Sequence, residues 1–157
     1  MDATIYQNFL RKHYVGNTKE DLILIGGGIT GIAPEFEEDS ENIGYYDLNG
    51  GTSKFTKSVT ISYAFEGHRK YGDEAQDFMR KKLFKLSERS CYLKVEEPDG
   101  TIIQGPAKIS DIQAHGGEAN DPSEFKCTIS FEGLPEESVK AEGQIQQAST
   151  QQKTSSK

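Results

Sequence analysis

Period-two alternation in several short runs narrows most what this chain can fold into. Val59, Ile61, Tyr63 and Phe65 point one way, while Thr60, Ser62 and Ala64 point the other. The same rhythm returns in Cys91, Leu93 and Val95 and again in Phe125, Cys127, Ile129 and Phe131. Successive side chains of a strand face opposite sides, so each run has one apolar face and one polar face. One helix is predicted among the strands. Ala75, Phe78, Met79, Leu83 and Leu86 share a stripe at about 100° per residue. Asp73 suits the N-cap, and Gln76 three residues on offers the reciprocal half of a capping box. Asp73, Glu74 and Asp77 lead, and Arg80, Lys81, Lys82, Lys85 and Arg89 trail, as the helix dipole favours. Phe84 lies off the stripe, which marks it as a candidate contact with a neighbouring subunit.

Turn signals order the rest. Residues 1–21 read as an extended arm or a short helix, and residues 22–25 as a strand running into Gly26-Gly27-Gly28. The acids Glu35, Glu37, Glu38, Asp39 and Glu41 follow Pro34 in a loop-like stretch, 33–52, that closes on Asn49-Gly50-Gly51. Asn-Gly favours the hairpin turn whose two central residues need positive φ, so a long acidic hairpin or arm is expected before the strand at 55–67. Glu97-Pro98-Asp99-Gly100 turns a second hairpin, and strands are expected at 107–112 and 125–131. From Ser138 onward Gln, Ser, Thr and Lys dominate, and this tail is expected to be disordered. One domain, 1–137, precedes it.

At 157 residues the chain is long enough for one real core, and its 16 glycines suit a turn-rich fold. A net charge of −7 argues against a surface that grips nucleic acid, because grip comes from cations neutralising phosphates. It does not argue against a wall that nucleic acid must pass. Cys91 and Cys127 both fall on apolar strand faces and are expected to be free, buried thiols in a reducing compartment. The N-terminus lacks the apolar stretch of a signal peptide, and the longest apolar run, 22–25, is far too short to span a membrane.

No residue set carries chemistry. Gly26 to Gly31 spell G-x-G-x-x-G, yet Pro34 and carboxylates follow where a dinucleotide site needs a helix, so a tight turn is the better reading. The acidic run lacks the spacing of a calcium loop. His13, His68 and His115 are scattered, and no serine sits in a nucleophile elbow. No enzyme activity, metal or cofactor is expected.

The segment VTISYAFEGHRKYGDEAQDFMRKKLFKL, a strand entering an amphipathic helix, resembles the centre of the major tail tube proteins of long-tailed phages. So does LKVEEPDGTIIQGPAKISDIQAHGGEANDPSEFKCTISFEGLP, with its hairpin, strand, Gly-rich loop and closing strand. The likeness covers roughly residues 20–135 and rests on the order of elements. It implies a mainly β fold, a sandwich or partial barrel of short antiparallel strands with one flanking helix. It also implies a structural virion protein, assembled in the host bacterial cytoplasm, whose hexameric rings stack into a hollow tube for double-stranded DNA. Implied partners are further copies of itself and other tail proteins such as the tape measure, terminator and baseplate components. DNA would pass without specific binding, and no membrane is involved. The arm, with Pro34, Glu35, Glu37, Glu38, Asp39, Glu41, Asn49, Gly50 and Gly51, matches the family's long loop that reaches a neighbouring subunit. Arg80, Lys81 and Lys82, with Phe84, form a basic helix end that could receive it. A single-ring tail component and a monomeric β-sandwich binding module are the competing readings.

Overall fold

The computed structural model describes residues 3–140. A 3-10 turn at Asn8–Leu10 leads into β1 (Lys12–Gly16) and β2 (Ile23–Ile25), followed by β3 (Ile29–Gly44) and β4 (Thr52–His68). The helix α1 (Glu74–Arg80) comes next, then β5 (Ser90–Glu96), β6 (Thr101–Gln113), β7 (Glu124–Phe131) and β8 (Glu136–Val139). All strand pairs are antiparallel, in the order β2-β1-β5-β6-β7-β4-β3, with β8 added to β6. This is the mainly β architecture with a single helix that the alternation implies.

The sheet curls until its two ends face each other. His13 of β1 meets the rings of Tyr63 and Phe65 of β4 edge-on, with centroids 5.6 and 5.7 Å apart. Between them Val15, Leu93, Val95, Ile109, Phe125 and Ile129 are buried, and Met79 of α1 closes the core against Cys127. The apolar faces expected from period two are the ones that point inward. Cys91 and Cys127 are free and buried, and burial pushes both thiols up to about 12. They behave as small hydrophobes rather than nucleophiles.

Four local expectations are corrected. Residues 12–16 form β1, because His13 and Val15 both have a core to enter while Lys12 stays exposed. The acidic run is strand rather than loop: β3 continues through it, paired with β4 as far as Gly44. β8 takes in Ser138 and Val139, from the stretch expected to lack structure; residues 141–157 of that stretch lie outside the described residues. The helix is also shorter than its stripe. It ends at Arg80, and Leu86 is 79% exposed.

Basic side chains brace the stretch that follows it. Arg89 donates from Nε to the Lys82 carbonyl (2.8 Å) and from Nη2 to that of Leu83 (2.8 Å). Lys82 Nζ donates forward along the chain to the Glu88 and Ser90 carbonyls at 2.8 and 3.3 Å. These cations satisfy carbonyls of the irregular stretch after the helix, while the helix-end carbonyls of Asp77, Met79 and Arg80 accept from the backbone N–H groups of Lys81, Lys82 and Leu83.

Gln76 also departs from expectation. Asp73 does cap the helix, accepting from the Gln76 backbone N–H at 3.1 Å. The Gln76 side chain, however, is fully buried and turned toward the strands. Its Nε2 donates to the carbonyls of Gly27 (2.8 Å) and His68 (2.9 Å), and its Oε1 accepts from Lys70 N (2.8 Å) and Arg69 Nη1 (3.2 Å). Replacing Gln76 by Leu should lower stability by about 3 kcal/mol, since it strands buried backbone groups. A chemical denaturation midpoint within the error of the unmodified protein's would show that this amide is dispensable.

Candidate assembly interface

β3 and β4 form a hairpin that outgrows the rest of the sheet. Their pairing runs from Ile29 opposite Gly67 to Gly44 opposite Thr52. β7 supports β4 only from Ser62 to His68. Beyond that point the hairpin stands as a two-stranded arm, about 30 Å long at the usual rise per residue. No residue from 33 to 58 is buried. The tip is the turn expected from Asn-Gly: Asn49 and Gly50 have φ of 50° and 93°, and Gly51 N donates to the Leu48 carbonyl at 3.0 Å. Two-stranded hairpins are marginal by themselves in water, so such an arm calls for a partner.

At its root the arm is held rigidly. Gly28, with φ of 78°, and Gly67 sit back to back, and a Cβ on Gly67 would run into the Gly28 carbonyl. His68 N donates to that same carbonyl at 2.7 Å. The G-x-G-x-x-G string is therefore a turn and close-packing device between two strands, with no helix opening after it.

The faces expected for residues 59–65 hold near the body, and a bulge changes the alternation further out. Phe36 pairs with Ile61 and Glu38 with Val59, so these four share the core-side face. A register shift between Asp39 and Ser40 leaves Lys57 as an extra residue in β4. Past it Phe55 pairs with Glu41, which lies on the opposite face of β3 from Glu38. The bulge thus turns Phe55 away from the side that Val59, Ile61 and Tyr63 occupy. Phe55 joins Asp39, Glu41 and Ile43 there, and alternation alone could not reveal this.

The helix end presents the opposite chemistry. Phe84 is 81% exposed beside exposed Lys81, Lys85 and Leu86, and the Arg80 guanidinium stacks over its ring at 5.5 Å. Lys82 does not belong to this surface. Its ammonium is buried on two carbonyls and over the Phe78 ring at 4.9 Å, so the grouping of Arg80, Lys81 and Lys82 as one outward basic cluster is corrected. Lys85 and Leu86 replace it. They were missed because the helical stripe placed Leu86 in the core.

The structure brings four strands into one outward polar face. Lys108, Ser130, Ser62 and Glu35 stand in one cross-strand row, and Ser110, Thr128, Ala64 and Ala33 in the next. Among the described residues, no strand pairs the outer edge of β3 or the β5 side of β6 beyond Ile109, whose N–H donates to the Arg89 carbonyl at 2.9 Å and whose carbonyl accepts from Arg89 Nη1 at 3.2 Å. The same residues hold no group of three or more His, Cys, Asp or Glu placed to bind a metal, and no helix long and apolar enough to cross a membrane.

No model of a protein family matches this chain, and no curated protein does. Solved structures do. The chain is similar to the tail of an empty gene transfer agent particle, computed by helical refinement with C6 symmetry. The TM-score is 0.69 at 17% identity, over 87% of this chain and 100% of that one. The chain has the tail tube fold. A native gene transfer agent virion contains a chain similar over 81% of this one and 95% of its own, with a TM-score of 0.64 and 15% identity. The SPP1 tail tube matches at 0.58 and 11% identity, over 82% of this chain and 77% of that one. The tail tube fold is thus reached at identities where only the architecture is shared.

Between the arm root, β1 and β8 an apolar groove of about 930 Å³ opens. His13 lies at its floor, and burial together with the neighbouring Arg11 charge lowers the imidazole to about 4 from 6.5. The unfolded chain protonates near 6.5 and the folded one near 4, so unfolding takes up a proton between these values. Stability is complete above that window and should fall by about 3 kcal/mol as the pH drops through it. His13→Phe should remove most of this loss, as read from denaturation midpoints at pH 7 and pH 4. An unchanged loss would assign the acid sensitivity to other groups.

Proposed function

We propose that this protein is the subunit of a tail tube, in which six copies close into a ring and rings stack into a hollow conduit for double-stranded DNA. The unpaired β3 edge carries this reading. A long open edge is a liability for a free subunit, and a ring of copies removes it by continuing the sheet from one subunit to the next. The short end of β6 past Ile109, at the other side of the same four strands, offers the second edge that ring closure needs. Support comes from the C6 symmetry of a tail with the same fold.

In this reading the outward polar face of β6, β7, β4 and β3 lines the lumen. Thr60, Ser62, Ala64, Thr128 and Ser130 give it small, mostly hydroxylated side chains, Lys108 and Lys126 stand against Glu132 and Glu66, and Glu35 and Glu37 make its β3 side acidic. Such a wall offers phosphates little to hold, which suits passage rather than binding.

Concentrated protein, alone or seeded with sheared tubes, should form hollow striated tubes in negative-stain electron microscopy, with sixfold end views. Isolated rings would favour a single-ring tail component. Monomers at every concentration, seeded or not, would favour a binding module. A mixture of Thr60→Arg and Ser62→Arg subunits should still assemble, and the tubes should retain added duplex DNA that unmodified tubes release.

A further inference from the structure

We propose that Asp111 fixes the register in which one copy joins the next, by placing a break in the free end of β6 where Pro34 of the next copy leaves a matching break in β3. The inference rests on the tail tube reading and adds the residues that decide where the two edges meet. Asp111 has φ of 53°. Asn49, the other described non-glycine residue with positive φ, belongs to the arm's turn, whereas Asp111 lies inside a strand. Such a conformation is uncommon outside turns and points to a role. Here it accompanies a bulge. Ser110 stands opposite Thr128 and Gln113 opposite Lys126, so β6 carries one residue more than β7 in between. The Asp111 side chain is exposed, so core packing does not impose this shape.

The cross-strand rows show what the bulge must face. Ile109, Ile129, Tyr63 and Pro34 form one row across β6, β7, β4 and β3, within the body of the sheet. In an antiparallel sheet bonded and non-bonded pairs alternate, and each residue turns its N–H and C=O to the same side. Ile109 gives both groups to Arg89, away from β7. Along the row, Ile129 and Tyr63 then bond each other, and Pro34 turns toward the open edge of β3. Proline has no N–H, so that edge lacks a donor there. By the same alternation Asp111 is the first residue past Ile109 to turn toward the open edge of β6. Each edge thus carries one irregular position. Set opposite each other they interrupt the ladder once; in a slipped register they interrupt it twice. Pro34 cannot face Ile109, which Arg89 occupies, so the row steps by two residues between copies, and a closed barrel needs a stagger. A slip further out along β3 brings Asp111 opposite Glu38, where like charges oppose pairing.

Disulfide trapping in assembled tubes tests this. The register sets Ser110 opposite Glu35 of the next copy as a non-bonded pair, about 4.5 Å apart at Cα and within reach of a disulfide. Within one chain β7 and β4 keep these two residues apart, and the native thiols are buried. Ser110→Cys with Glu35→Cys should therefore give a ladder up to covalent hexamers on non-reducing gels. Ser110→Cys with Ala33→Cys or with Glu37→Cys, one step to either side, should link at least tenfold less. Asp111→Gly keeps the left-handed conformation and should assemble like the unmodified protein. Asp111→Val, or Asp111→Ala if valine prevents folding, should cut tube yield at least tenfold with the denaturation midpoint still that of a folded subunit. Stronger linking by a displaced pair, loss of tubes in Asp111→Gly, or normal tubes from the folded valine or alanine variant would overturn the proposal and leave the tube reading standing. Failure of unmodified protein to form tubes or rings would overturn both.

Discussion

One buried amide fixes where the arm can point. Gln76 is on the helix, yet its four side-chain hydrogen bonds go to the turn before β3, to the end of β4 and to Arg69 and Lys70 just after it, beside the two strands that become the arm. Through them the helix is fastened to the arm's root rather than merely packed against the sheet. Arg69 extends the joint. Its guanidinium, 5% exposed, pairs with Asp77 of the helix at 2.8 Å and stacks under Tyr71 at 4.3 Å. In a dry site, donors and acceptors that lack partners are costly, so the network settles into one arrangement. A lever some 30 Å long multiplies any angular slack at its root. A satisfied polar joint beside two back-to-back glycines leaves little, whereas an apolar contact would permit sliding.

The sequence discloses what period two and turn chemistry control. Val59 to Phe65, Cys91 to Val95 and Phe125 to Phe131 point as their alternation requires, because one face of each strand had to enter a core. The Asn49-Gly50 turn was legible because few residues tolerate positive φ twice in succession. Other features depended on partners distant in the chain. β1 looked like an arm because five residues are a weak signal until β2 and β5 pair with them from either side. The helix looked longer because its stripe continued through Leu83 and Leu86, while past Arg80 the chain tightens into turns and Arg89 holds the Lys82 and Leu83 carbonyls. Lys82 looked like surface charge because a lysine is rarely buried; here two carbonyls and a ring receive it. The bulge at Lys57 left no mark at all in the pattern of apolar residues.

The arm and the body therefore obey different rules. In the body, side chains are placed by burial, and exposure follows as a remainder. In the arm nothing is buried, so its exposed apolar groups cannot be remnants of a core. Phe36 and Phe55 are 63% and 53% exposed on opposite faces, separated by one bulge. A two-stranded ribbon with an aromatic group on each face is poorly suited to solvent and well suited to being covered from both sides.

The placement of charge then has a reason that net acidity alone does not supply. The arm holds −4 of the chain's −7. Repulsion of DNA would ask for net negative charge along the lumen face, yet β4 and β7 place there Ser62 with Ser130, Ala64 with Thr128 and the opposite charges of Glu66 and Lys126. Concentrated on a ribbon with free edges, the carboxylates act earlier. Two arms that met edge to edge would bring like charges within a strand spacing of about 5 Å, which opposes the pairing that open edges invite. The same charges favour a cationic surface. One feature of the sequence thus keeps free subunits apart and, at the right contact, draws them together.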